Sequence, residues 1–221
     1  TSRASHVPYD NEAAGRGRPS SSPSGIPSSG TPSSRGTVLF CAPNAGIYEC
    51  VAMQPRDQSW VGFYLALGFD ICLFNYRGFC KSTGIPDPAS VKLDATRLAD
   101  YLRDDCGVTR LVVHGQSMGG MVACHIAANS PRGVVALVCD RTFSSLDAAG
   151  SHLMGTWAGM GLKWVCWWTT DVITDFIDAR CRKVIMQDPT DEVIAQPAGL
   201  KSGVALRRWL GTLGTEKMEI Q

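Results

Sequence analysis

Gly115-Gln116-Ser117-Met118-Gly119-Gly120 is the stretch whose residue types and spacing could do covalent chemistry. A serine with glycine two residues before and two after fits a sharp bend between a strand and a helix, where only small neighbours avoid a clash. Such a bend lifts the hydroxyl above the sheet edge. The helix that follows aims its positive end at the same place, so negative charge on an attacked carbonyl oxygen would be stabilised there. The backbone N–H of Met118 would be one donor to that oxyanion. A second donor is expected from the turn Cys41-Ala42-Pro43-Asn44-Ala45-Gly46, with Asn44 the first choice and Ala45 the next. The plainer readings are an ordinary serine in a glycine-rich turn and a simple strand-ending turn.

The elements that must position these residues follow from hydrophobic pattern. Short apolar runs read as strands at Thr37–Ala42, Asp70–Asn75, Arg110–His114, Val134–Cys139 and Lys183–Gln187. They are apolar throughout rather than alternating, as burial on both faces demands. Between them, Ser59–Leu67, Ala89–Cys106 and Met118–Asn129 read as helices, and Ala205–Leu213 as a terminal one. In Ala89–Cys106 the residues Val91, Ala95, Leu98 and Leu102 recur at helical steps, with Asp87 as a cap before Pro88. The alternation predicts an α/β fold: a mostly parallel sheet with helices on both faces. Residues 1–36, with the run Pro19–Ser34, read as a disordered Pro/Ser/Gly-rich segment. Residues 37–221 read as one domain, with a small cap over about 142–180.

Four pieces in order carry a resemblance. They are PNAGIYE (Pro43–Glu49), NYRGFCKSTG (Asn75–Gly84), HGQSMGG (His114–Gly120) and DPTDEVI (Asp188–Ile194). Together they resemble the α/β-hydrolase superfamily, and in particular its α/β-hydrolase-domain branch of lipases and protein depalmitoylases. The resemblance implies an α/β-hydrolase fold with a serine hydrolase's nucleophile elbow at Ser117. It implies an oxyanion loop at Asn44, a structural role for Arg77 in the NYRGF turn, and the acid at Asp191. Asp140, after the fourth strand, is the other acid position some hydrolases use. Asp188 reads as a turn cap.

The departure from the family is the base. Chain order in this fold is serine, acid, histidine, yet no histidine follows Asp191. His6 lies in the polar segment, His114 reads as structural, His125 sits two turns along the helix after Ser117, and His152 falls in the cap. The expectation is a C-terminally incomplete hydrolase domain lacking the last strand, with little or no turnover as it stands. The first residue, Thr1, likewise suggests a fragment or a processed product. The alternative is a non-catalytic hydrolase-fold binding or interaction protein.

Composition narrows the partners. Lys and Arg number 21 against 20 Asp and Glu, which leaves no basic footprint for nucleic acid. Nine cysteines without a C-x-x-C pair read as reduced thiols, hence an intracellular location, cytoplasmic or peripherally membrane-associated. No apolar run reaches the ~18 residues a membrane span needs. Met154–Trp168 (MGTWAGMGLKWVCWW) suits an acyl chain or peripheral membrane contact, or simply packs the cap on the core. The expected substrate is a small-molecule or lipid ester or thioester. No cofactor and no metal site are expected.

Overall fold

The computed structural model describes residues 34–44, 46–145 and 170–216, with side chains to 211. The polar segment before residue 34, the stretch 146–169 with His152 and the Trp-rich run, and Ala45 lie outside the described residues. The elements in chain order are β1 (Thr37–Cys41), α1 (Tyr48–Met53), α2 (Trp60–Ala66), β2 (Asp70–Leu73), α3 (Pro88–Asp104) and β3 (Leu111–Gln116). They continue with α4 (Met118–Asn129), β4 (Val134–Asp140), α5 (Val172–Asp178), β5 (Arg182–Met186) and α6 (Leu200–Glu216).

The five strands form one parallel sheet in the order β2-β1-β3-β4-β5. Side-chain alternation divides the core in two. Leu39, Cys41, Leu111, Val113, Leu137 and Cys139 join the large cluster under α3, α4, α5 and α6. Val38, Phe40 and Val112 face the opposite way and meet Tyr64, Trp60 and Val51 of α1 and α2. Both faces are therefore covered, which is why the strands carry no polar alternation.

Helix starts follow capping chemistry. Asp87 Oδ1 accepts the Ser90 N–H at 3.0 Å, and Pro88 follows where its missing N–H costs nothing. Ser59 Oγ accepts from Gly62 N at 3.1 Å and opens α2. On α3 the buried stripe is Val91, Ala95, Ala99 and Leu102, with Leu98 packed at its margin. Three elements differ from expectation. Helix α5 was not read from the pattern, and it packs Val172 and Phe176 into the large cluster. Helix α1 falls where only a loop was expected, because Val51 is its single buried residue and no side chain caps it. Helix α6 begins five residues before Ala205, because Leu200 and Val204 are buried against the core.

Arg103 closes the far end of the sheet. Its Nη1 donates to the carbonyls of Ser130 (3.0 Å) and Arg132 (2.8 Å) just past the C-terminus of α4, and its Nη2 meets Asp100 and the Ser130 hydroxyl. With its side chain 3% exposed, these bonds are shielded from water. Arg103→Met is expected to cost about 2 kcal/mol in urea unfolding, because the part-buried carbonyls of Ser130 and Arg132 lose a charged donor. Arg132→Met removes only the solvent-exposed pair with Asp104 and should stay within about 0.5 kcal/mol of the parent.

Candidate active site

The bend at Ser117 is in the left-handed region, with φ 53° and ψ −117°. A non-glycine residue there is strained and persists only where its surroundings over-determine it. They do so here. The Ser117 N–H donates to the Asp140 carbonyl at 2.8 Å, and the Ser117 carbonyl accepts from Gly120 N at 3.0 Å. The flanking glycines let the chain fold this tightly. A Cβ on Gly115 would lie 2.3 Å from the Gly119 carbonyl oxygen, and one on Gly119 would lie 2.0 Å from that of Cys41. Ser117 occupies the N-cap position of α4 but does not use its hydroxyl to cap it. Among the described residues the hydroxyl is uncommitted.

Sheet order places this serine where ligands bind in open parallel sheets. The chain leaves β1 for β2 on one side and returns to β3 on the other, so a crevice opens above the C-terminal ends of β1 and β3. A cleft of about 320 Å³ lies there. Pro43, Gln116, Ser117 and Arg141 form its floor from three strand ends, and Asp188, Asp191, Val193 and Ile194 form a wall from the loop after β5. Ser117 and Asp191 thus line one cleft. Met118 is buried at the first position of α4. Asn44 is exposed, one residue beyond Pro43, and is not part of the lining.

The acid candidates separate by their partners. Asp191 Oδ1 accepts the N–H groups of Val193 (2.8 Å) and Ile194 (2.9 Å), while Oδ2 has no partner among the described residues. Asp188 is spent on its own turn, accepting from Thr190 N at 2.9 Å and Thr190 Oγ1 at 2.7 Å. Those bonds hold its carboxyl below the usual range. Asp140 has both oxygens committed. Arg141 Nε donates to Oδ1 at 3.0 Å, Arg141 Nη2 to Oδ2 at 2.9 Å, and Trp60 Nε1 to Oδ2 at 3.1 Å. Asp140 is thus the one of the three with both oxygens committed, while Asp188 and Asp191 each keep Oδ2 without a partner among the described residues.

No described histidine reaches the serine. His114 is fully buried beneath the bend, its Nδ1 2.9 Å from the Tyr64 hydroxyl and its ring among Phe40, Trp60 and Tyr64. Burial lowers its pKa from 6.5 to about 4, against the pull of Asp140. His125 sits over Asp175 of α5 at 3.5 Å, on the far flank of α4.

Arg141 is the site residue that pattern reading missed. It leaves β4 with φ 47° and folds its side chain back on the preceding aspartate. Hydrogen bonding to Asp140 raises the guanidinium pKa, and Asp191 and Asp188 add to this. Two charged residues ending an apolar strand were a readable signal, but the left-handed backbone that aims them was not. Among the described residues no cluster of three or more His, Cys, Asp or Glu side chains is arranged to hold a metal ion. None of the described helices is long and apolar enough to cross a membrane.

A family model described as alpha/beta hydrolase fold matches residues 44–184. Protein bem46 of Schizosaccharomyces pombe is 38% identical over 118 residues, covering 52% of this chain and 38% of that protein. The alpha/beta hydrolase domain-containing protein WAV2 of Arabidopsis thaliana is 35% identical over 123 residues, covering 54% and 38% respectively. The chain thus spans 38% of the length of these two curated relatives. The esterase Pf2001 of Pyrococcus furiosus has a similar fold, with a TM-score of 0.64 at 18% identity over 75% of this chain and 65% of that one.

Proposed function

The chain belongs to the α/β-hydrolase-fold family, and on that premise we propose that it is built for two-step acyl transfer at Ser117, on a carboxylic ester or thioester. Ser117 Oγ attacks the carbonyl carbon and the C–O or C–S bond of the leaving group breaks. Water then cleaves the acyl-serine. The N–H groups of Met118 and Asn44 hold the oxyanion. Where a histidine is supplied, Asp191 orients it through its open Oδ2. That histidine takes the serine proton and returns it to the leaving group. The observation that carries this reading is the strained φ of Ser117 together with its uncommitted hydroxyl in the cleft. The apolar side chains of Pro43, Val193 and Ile194 suit an acyl chain, which favours a lipid ester.

A second reading is a non-catalytic binding module of the same fold. It is favoured by one observation: both described histidines are engaged away from Ser117.

Fluorophosphonate labelling separates the two readings. Labelling of the 221-residue chain is expected to be slow, because loss of a triad histidine costs on the order of 10⁶ in kcat in subtilisin. The label should map to Ser117 and vanish in Ser117→Ala. Labelling as fast as that of a complete hydrolase contradicts the expected shortfall in base catalysis. Labelling that Ser117→Ala leaves intact overturns the assignment of the nucleophile, and no labelling at all favours the binding module.

A further inference from the structure

We infer that Arg141 is a specificity-determining residue that selects acyl groups bearing an uncharged oxygen acceptor close to the scissile carbonyl. The inference deepens the reading of Ser117 as nucleophile and rests on it. Gln116 and Asp140 are paired in register at the ends of β3 and β4, so the residues that follow them, Ser117 and Arg141, leave the sheet side by side. Both have left-handed backbones, and both line the cleft. An acyl group held on Ser117 therefore has the Arg141 side chain as a neighbour through both steps.

The guanidinium is fixed before any ligand arrives. Its Nε and Nη2 grip Asp140, whose side chain is 6% exposed and is itself tied to Trp60 of α2. The Arg141 N–H also donates to the Met186 carbonyl of β5 at 2.8 Å. Little rotamer freedom is left to lose on binding. Two of the five guanidinium N–H groups face Asp140, and Nη1 has no partner among the described residues. With the Arg141 side chain 40% exposed, those remaining donors are reachable from the cleft. A plain hydrocarbon placed there would strip water from them and return nothing.

Charge decides the kind of acceptor. Asp140 already balances Arg141, and Asp188 and Asp191 line the same cleft. A carboxylate or phosphate entering the cleft would meet two further carboxylates, whereas an ether, hydroxyl or carbonyl oxygen takes the hydrogen bond without that repulsion.

The test uses p-nitrophenyl methoxyacetate and p-nitrophenyl butanoate, whose acyl groups differ only by an oxygen in place of a methylene. Stoichiometric p-nitrophenolate release is measured for the parent and Arg141→Met, with Ser117→Ala as background. Comparing the ratio of the two esters between proteins cancels their intrinsic reactivity. The methoxyacetate-to-butanoate ratio is expected to fall about tenfold in Arg141→Met. An unchanged ratio overturns the inference, as does a preference for mono-p-nitrophenyl succinate over methoxyacetate that Arg141→Met abolishes. If Arg141→Met fails to fold around the unpaired Asp140, Asp140→Asn/Arg141→Met removes both charges and gives the same comparison. Release that never exceeds the Ser117→Ala background, as loss of the histidine alone would give, reads no acyl transfer in either protein. Arg141 is then judged by thermal shift with millimolar methyl methoxyacetate against methyl butanoate. Selective stabilisation by the former, lost in Arg141→Met, supports its role, and equal shifts overturn it.

Discussion

Gly119→Ala is expected to destabilise the protein by about 3 kcal/mol, at the upper end of overpacking costs, with a fall in Tm of roughly 6–12 °C for a chain of this size. The added methyl would sit 2.0 Å from the Cys41 carbonyl oxygen and 2.7 Å from that of Ala42. Neither can yield cheaply. Cys41 ends β1, which is hydrogen-bonded to β2 on one side and to β3 on the other, and Cys41 itself is in register with Gly115. The helix must therefore lift from the sheet, and its first turn carries Ser117. Fluorophosphonate labelling should fall with stability, since the bend and the helix start move together. Gly211→Ala in α6 is the control. A Cβ there meets nothing within 4 Å among the described residues, so the substitution should be neutral or slightly stabilising. A Gly119→Ala protein as stable as the parent would mean that α4 does not approach β1 this closely.

That close approach shows what a sequence can and cannot announce. The glycines of Gly115-Gln116-Ser117-Met118-Gly119 signal a tight bend after an apolar strand, and the bend is where the pattern puts it. The strands are legible for the same reason: burial on both faces leaves Thr37–Cys41 and Leu111–Gly115 buried throughout. Helix α1 was hidden because one buried valine makes no periodicity. The cleft was half legible. Asp191 stands out by following a strand, but its distinction from Asp140 lies in hydrogen bonds made across the fold, to Trp60 eighty residues away. Arg141 was hidden because a positive φ at arginine leaves no compositional trace. Local rules fail at Ser117 and Arg141, two of the residues that line the cleft, where strain is expected to gather.

The imidazole buried beneath the bend has a pH signature. His114 is neutral in the folded protein, its pKa lowered from 6.5 to about 4 chiefly by burial. In the unfolded chain it titrates near 6.5. Between those values the unfolded state binds the extra proton, so stability is complete above pH 6.5, falls as the pH drops through the window, and levels off below about 4. A shift of this size corresponds to about 3 kcal/mol. In urea unfolding at pH 7 and pH 4.5, most of that loss should appear in the parent. It should be missing from His114→Phe, which keeps the ring contacts with Phe40 and Trp60. That variant leaves the Tyr64 hydroxyl without its 2.9 Å partner, so it should start about 1–2 kcal/mol lower at pH 7. His114→Phe/Tyr64→Phe removes both halves of the bond and should recover much of that deficit while keeping the flat pH response. The difference between parent and variant is the quantity to read, because surface carboxylates lose their partners in both as the pH falls. A parent and a His114→Phe protein with parallel pH profiles would place the imidazole in contact with water, and the aromatic box under Ser117 would have to be open.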